Sequence, residues 1–156
     1  MQFLTEAQCD DWLKQVGRTA PTRQSLLSLP ADKHQILEKE PPPRLYHLLQ
    51  AAIEQLVFDH SDPILLRVFE YGHWESNQHL LLYSLIRRHF LNTGTMVESP
   101  GHLAEAHERT FVHAIAFLCV TYGWGFYVIS QSGEDALMFE HDGRLGVVPT
   151  PSILPF

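Results

Sequence analysis

The chain has 156 residues, a hydrophobic fraction of 45%, a charged fraction of 19% and a formal net charge of −7. This length fits a single globular domain over residues 1–156, and the negative charge disfavours binding to nucleic acid. The most apolar run, residues 114–120, is too short to cross a bilayer, and residues 1–6 lack the features of a signal peptide. We therefore expect a cytoplasmic protein without a membrane partner.

Helical signals dominate the first third of the chain. Thr5 and Gln8 have the spacing of a capping box, which predicts a helix that starts there and ends at Gly17. We expect a loop over residues 18–30 and a short helix over residues 31–39. From Leu45 the apolar residues recur at helical spacing, which predicts an amphipathic helix that ends near residue 58.

The middle of the chain alternates between strand and helix signals. Residues 64–71 are apolar at nearly every position, as in a strand that is buried on both faces. A helix is expected over residues 77–90, and the longest helix over residues 103–122. The side chains that we expect to face inward from the first of these helices are Leu81, Leu82, Leu85, Ile86 and His89.

Residues 126–148 read as three short strands joined by tight turns at Ser132-Gly133 and Asp142-Gly143. An Asp-Gly pair between apolar runs is typical of a type I′ hairpin turn, in which both central residues have a positive φ. The predicted fold class is α+β. About five helices would pack on one face of a small, mainly antiparallel sheet that ends in a three-strand meander.

No metal-binding spacing, nucleophile motif or cofactor loop occurs in the sequence, so we predict neither a metal nor a cofactor. The cysteines, Cys9 and Cys119, lie far apart in apolar patterns and are expected to be buried thiols. The best cluster of reactive side chains is His102, Glu105, Arg109 and His113, which share one face if all lie on the long helix. Such a face would supply a base, Glu105, and an anion anchor, Arg109. The alternative is a solvated helix surface.

Two smaller groups also have two interpretations. Glu70, His73 and Glu75, with Trp74 between the last two, follow the buried strand and form either an active-site edge or a polar loop. Arg87 and Arg88 either bind an anion or compensate the dipole at the end of their helix. Whether the protein is an enzyme stays open, although the missing motifs favour a non-enzyme.

The closing pattern combines the strand 126–130, Gly133, the strand 136–140 and a His141-Asp142-Gly143 turn. In this it resembles small bacterial immunity proteins, the antidotes encoded beside polymorphic or contact-dependent toxins. The resemblance covers about 25 residues. It implies an acidic, cytosolic α+β protein that binds one toxin.

The acidity increases along the chain. Residues 1–60 hold eight acids and six Lys or Arg, a net charge of −2, whereas residues 61–156 hold ten acids and five Lys or Arg, a net charge of −5. This asymmetry supports the hypothesis of an immunity-type inhibitor that binds a single, basic protein partner. A small hydrolase or transferase and a secretion chaperone or adaptor are the alternatives. The candidate partner-binding residues are the acids Glu70, Glu75, Glu105, Glu108, Glu134, Asp135, Glu140 and Asp142.

Overall fold

A computed structural model describes residues 1–37, 40–57, 59–70 and 77–150, with the backbone only for residue 34 and residues 77–80. Five α-helices occur in this part of the chain: α1 (Glu6–Gln15), α2 (Arg23–Leu27), α3 (Pro42–Gln55), α4 (Asn77–His89) and α5 (Arg109–Thr121). Seven strands accompany them: β1 (Gln2–Leu4), β2 (His34–Ile36), β3 (Ile64–Glu70), β4 (Gly101–Ala104), β5 (Gly125–Ser130), β6 (Asp135–Phe139) and β7 (Arg144–Pro149). The α+β class and the C-terminal meander are confirmed.

The seven strands form one sheet in the order β1-β4-β3-β5-β6-β7-β2, and every neighbouring pair is antiparallel. The strands run between two ends of the sheet, which we name after the terminal residues of β3. At one end Ile64 pairs with Ser130, and we call this the Ile64 end. At the other end Glu70 pairs with Gly125, and we call this the Glu70 end.

Strand β3 is buried on both faces, as its apolar sequence predicts. Alternate side chains of a strand point to opposite faces. Leu66 accordingly belongs to the cluster formed with α3 and α5, whereas Leu65 belongs to the cluster that contains Cys9 and Leu13 of α1. The helices therefore divide between the two faces of the sheet, with α3–α5 on one and α1 and α2 on the other. The expectation that all helices share one face is wrong in this respect.

The capping box of α1 is present as predicted. Thr5 N donates to Gln8 Oε1 at 2.8 Å, and Gln8 N donates to Thr5 Oγ1 at 3.3 Å. The helix is tied to β3 by Arg67, which is buried and donates to Asp10 Oδ1 at 2.7 Å and to Glu6. A local signal at the helix start and two long-range ion pairs thus place α1 on its face of the sheet.

Three local predictions are wrong. The predicted loop over residues 18–30 contains α2, and the predicted helix over residues 31–39 is a 3₁₀ turn, Ala31–Lys33, followed by β2. The predicted helix over residues 103–122 begins later, because residues 101–104 pair with both β1 and β3 as strand β4. Such short strands take their hydrogen bonds from partners that are distant in sequence, so they carry little local signal.

The hairpin turns also differ from the predicted type. Gly143 has φ +85°, but neither Asp142 nor Gly133 has a positive φ. Gly143 N donates to Glu140 O at 3.0 Å, and Glu140 N donates to Arg144 O at 3.0 Å. This is a three-residue loop in which a β-turn is followed by a left-handed glycine, another common hairpin connection.

Helix α4 is rotated from the orientation expected: Ile86 is half-buried and packs against the core as predicted, but His89 is exposed. Tyr83 and Arg87 are buried, whereas Leu81, Leu82 and Leu85 are exposed. The hydrogen bonds of Arg87 determine which face of the helix is turned inward. Its Nε donates to Asn92 Oδ1 at 2.7 Å, and its Nη1 donates to carbonyl oxygens of the loop that follows the helix.

Candidate functional site

The structure separates the histidine cluster that the sequence grouped on one helix. His102 lies on β4 and is fully buried, with Nε2 2.6 Å from Tyr83 Oη and Nδ1 3.3 Å from Leu66 O. Burial lowers the pKa of His102 to about 3, so the ring is neutral at physiological pH. Glu105 precedes a 3₁₀ turn, is exposed, and forms no ion pair with a described residue. The predicted pocket of four side chains is therefore wrong.

Arg109 and His113 lie together on α5. Both contact Glu54 of α3, a residue that the sequence analysis did not single out. His113 Nε2 is 3.0 Å from Glu54 Oε1, and Arg109 Nη1 is 3.4 Å from Glu54 Oε2. Arg109 Nη2 also donates to His60 O at 2.6 Å. Burial lowers the pKa of His113, against the opposing effect of Glu54. The three side chains join α3, α5 and the loop before β3, which is a structural role.

The predicted partner-binding acids fall at opposite ends of the sheet. At the Glu70 end, Glu70 itself pairs with Gly125. Phe139 pairs with Leu145 there, which places the adjoining acids Glu140 and Asp142 at the same end. Glu105, Glu134 and Asp135 adjoin Ala104, Ser130 and Pro149 at the Ile64 end, and Glu108 follows Glu105 there. Glu75, with His73 and Trp74, lies outside the described residues. A single flat contact does not include both groups.

The acids at the Glu70 end each lie within 3.2 Å of a nitrogen of a basic side chain. Glu70 Oε2 is 2.9 Å from His141 Nδ1, and Asp142 Oδ2 is 3.0 Å from Arg144 Nε. Glu140 is fully buried, 3.2 Å from Arg23 Nε, although neither of its oxygens accepts a hydrogen bond. Burial raises the pKa of Glu140. Asp142 is therefore compensated by Arg144 and Glu140 is inaccessible to a partner, whereas Glu70 keeps its negative charge unless His141 is protonated.

The Ile64 end carries free carboxylates. Glu108 pairs with the N-terminal amine of Met1, but Glu105, Glu134 and Asp135 are exposed and form no ion pair within the described part of the chain. Two further acids, which the sequence analysis did not single out, lie beside them in the loop before β3. We call the five residues the acidic edge: Asp59, Asp62, Glu105, Glu134 and Asp135.

Hydrogen bonds hold the acidic edge in place. Asp59 Oδ1 accepts from Ser61 N at 2.8 Å and from Ser61 Oγ at 2.7 Å, and these bonds lower the pKa of Asp59. Asp62 Oδ2 accepts from Ser132 N at 3.1 Å and from the Ser132 hydroxyl. The bond to Ser132 joins the β5–β6 turn, which carries Glu134, to the loop that carries Asp59. The two segments are therefore held together, and the carboxylates of Asp59 and Asp62 are preorganised.

A second surface feature is an apolar groove of about 340 Å³ between α3, α4 and α5. Its lining residues are Tyr46, Leu82, Ile86, Thr110, Phe111, Ala114, Phe117 and Leu118. A smaller cleft of about 230 Å³ lies at the Glu70 end, with His141 at its rim and an apolar floor that includes Leu45 and Phe139. The sequence predicted neither feature, because both depend on how distant elements pack.

The described residues contain no group of three or more His, Cys, Asp or Glu side chains that is arranged to hold a metal ion. Cys9 and Cys119 are buried, and burial raises the pKa of the Cys9 thiol to about 11. Of the helices described, none is both long and apolar enough to cross a bilayer. The chain matches no protein-family model, and no curated protein or solved structure shows significant similarity to it.

Proposed function

We propose that this chain is a non-enzymatic, cytoplasmic binding protein that neutralises one basic protein partner, as an immunity protein neutralises its toxin. The observation that carries the proposal is the acidic edge. Glu105, Glu134 and Asp135 are exposed without a cation partner among the described residues, whereas at the Glu70 end Asp142 pairs with Arg144 and Glu140 is buried beside Arg23. Unpaired surface carboxylates of one sign attract a partner of the opposite sign.

The arrangement also suggests how such a complex would form. Long-range attraction to the acidic edge accelerates the encounter and weakens as salt screens it, since the Debye length is about 8 Å at physiological ionic strength. The lifetime of the complex then depends on a few buried anchors that salt affects little. We expect the partner to place Lys or Arg side chains opposite Glu134 and Asp135, which share one turn.

The experiment starts with affinity capture from the native host and identification of the captured protein. Association and dissociation rates are then measured at low and high salt for the wild type and for Glu134→Lys/Asp135→Lys. The matched control, Asp11→Lys/Asp32→Lys, changes the net charge equally, from −7 to −3, at exposed acids outside the acidic edge. We expect the edge variant to lose at least about tenfold in association rate, with a weaker salt dependence, and the control to lose far less.

Two results would contradict the proposal. Equal losses in both variants would mean that net charge, not the acidic edge, governs the encounter. If no protein is captured and the purified chain turns over a small molecule, with activity lost in His113→Ala, the enzyme alternative replaces the binding protein.

The apolar groove favours a second candidate, a secretion chaperone or adaptor, because such proteins bind through apolar surfaces. The two candidates differ in their effect on the captured partner. An inhibitor abolishes the activity of the partner at a one-to-one ratio, whereas a chaperone or adaptor leaves the released partner active. An activity titration of the partner therefore distinguishes them.

A further inference from the structure

Helix α4 displays an apolar surface that no other described part of the chain covers. Leu81, Leu82 and Leu85 are 62%, 49% and 52% exposed, while Arg87 on the same helix is only 1% exposed. Contiguous exposed apolar surface on a folded protein marks an interaction site. The leucines cannot simply turn inward, because rotation of α4 would break the hydrogen bonds of Arg87 to Thr95 and Ser99 and the buried contact of Tyr83 with His102.

A convex and a concave element lie side by side on this surface. Leu81 and Leu85, one turn apart, form a ridge, whereas Leu82 and Ile86 form one wall of the groove that α3 and α5 complete. The groove has a volume of about 340 Å³. Because an apolar cavity of roughly 150 Å³ holds a six-carbon ring, the groove accepts about two side chains the size of leucine. The ridge supplies two such side chains.

The charge of this surface argues against the basic partner as its occupant. Helices α4 and α5 contain no Asp or Glu, and the exposed charged residue beside the ridge is Arg88. None of the acidic edge residues lines the groove. The negative charges that would repel a second copy of the chain therefore lie elsewhere, and a basic protein is not attracted here.

We propose that the chain forms a two-fold symmetric dimer in which Leu81 and Leu85 of each copy enter the α3–α4–α5 groove of the other. A ridge and a groove of matched size on one surface are self-complementary, which is the requirement for an isologous interface. No residue of the acidic edge takes part, so both copies keep that edge for the partner. The dimer goes beyond the proposed function and does not depend on it.

The first test is the mass of the purified full-length chain by light scattering and sedimentation over a range of concentrations. We expect twice the chain mass of 17.9 kDa for the wild type. Leu81→Lys/Leu85→Lys should be monomeric or dissociate at least about tenfold more readily. The control Val97→Lys/Val147→Lys changes two other exposed apolar residues and should keep the dimer. A cooperative unfolding transition in every variant would show that all variants are folded.

The second test locates the contact without disrupting it. Leu85→Cys should form a disulfide under mild oxidation with a copy that carries Ala114→Cys in the groove, whereas Val97→Cys should not, and the native Cys9 and Cys119 are buried. A wild-type chain that stays monomeric up to about 1 mM would overturn the proposal, since even a weak dimer is detected there. A dimer that persists in Leu81→Lys/Leu85→Lys, or equal cross-linking of both cysteine variants, would also overturn it. Neither result bears on binding at the acidic edge.

Discussion

Arg87 Nη1 donates a 2.9 Å hydrogen bond to the hydroxyl oxygen of Tyr83, one turn earlier on α4, and both side chains are buried. Tyr83 in turn lies 2.6 Å from His102 Nε2, and His102 Nδ1 lies 3.3 Å from the carbonyl oxygen of Leu66. Because a carbonyl only accepts, Nδ1 carries the ring proton and Nε2 accepts from Tyr83. A polar relay, rather than a leucine stripe, therefore attaches α4 to β4 and β3.

The first prediction concerns Arg87, the donor at the start of this relay. Arg87→Met should lower the free energy of unfolding by about 3 kcal/mol or more, because it removes the donor to the buried hydroxyl of Tyr83 and to the half-buried carbonyl oxygens of Thr95 and Ser99. The neighbouring Arg88→Met changes an exposed side chain and should cost less than about 0.5 kcal/mol. Urea unfolding measures both values. Similar losses in the two variants would contradict the role of Arg87 as the anchor of α4.

The second prediction is a pH dependence that originates at His102. Its pKa is about 3 in the folded chain and about 6.5 when unfolded, so between these values only the unfolded chain binds the proton. The stability that the folded chain owes to a neutral His102 ring is fully present above pH 6.5. On acidification the free energy of unfolding then falls by at most about 1.4 kcal/mol per pH unit. Burial also lowers the pKa of His113, so its protonation likewise destabilises the folded chain at low pH.

Replacing the histidine isolates its share of this dependence. His102→Gln should be less stable at neutral pH, but its free energy of unfolding should fall less steeply as the pH is lowered from about 7 to about 5. His107→Gln, at an exposed position, should keep the wild-type slope. Urea unfolding at several pH values gives the slopes, and identical slopes for wild type and His102→Gln would exclude His102 as the source.

Elements with local signals could be predicted from the sequence. The capping box of α1 needs only Thr5 and Gln8, and the strands β5–β7 follow one another with short turns, so pattern and pairing lie within a few residues. Strands β1 and β4 pair residue 2 with residue 103, about a hundred positions apart. Neither strand has more than four residues, so the sequence pattern alone did not reveal them.

The candidate site was harder to predict because it depends on the sheet register. Glu134 and Asp135 were expected in a partner-binding surface, but their separation from Glu140 and Asp142 follows from the direction of β6, with one pair at each end of the strand. Asp62 joins the acidic edge through Ser132, 70 residues away. The orientation of α4 was mispredicted for a similar reason, because the acceptors that hold Arg87 lie in residues 92–99.

The third prediction tests the packing of α1 against the β1–β4 pair. Gly101 lies beneath α1, and a Cβ there would clash with Cys9 Sγ and lie 3.0 Å from Leu4 Cβ. Gly101→Ala should therefore destabilise the chain by about 1–3 kcal/mol through overpacking. In a Cys9→Ala background, which removes the sulfur, the same change should cost at least about 0.5 kcal/mol less. A double-mutant cycle from urea unfolding measures this coupling, and strict additivity would contradict the direct clash.

The fourth prediction concerns Glu140, whose carboxylate is fully buried at the turn between β6 and β7. Neither oxygen accepts a hydrogen bond, and the nearest cation, Arg23, is itself half exposed. Burial raises the pKa of Glu140, and the negative charges of Asp142 and Glu70 add to the increase. The folded chain thus holds this proton at pH values where the unfolded chain has lost it, so the ionised carboxylate destabilises the fold above its folded pKa.

Glu140→Gln removes that charge with little change in shape. We expect the variant to gain on the order of 1 kcal/mol in the free energy of unfolding at neutral pH, the scale of an uncompensated buried polar group. The gain should shrink as the pH falls towards the raised folded pKa of Glu140, because the wild-type carboxylate then takes up a proton in the folded state. Asp142→Asn is the matched control, because Asp142 is paired with Arg144 and should lose stability instead. If both variants lose stability at neutral pH, Arg23 compensates Glu140 fully and the carboxylate is a stabilising group of the turn.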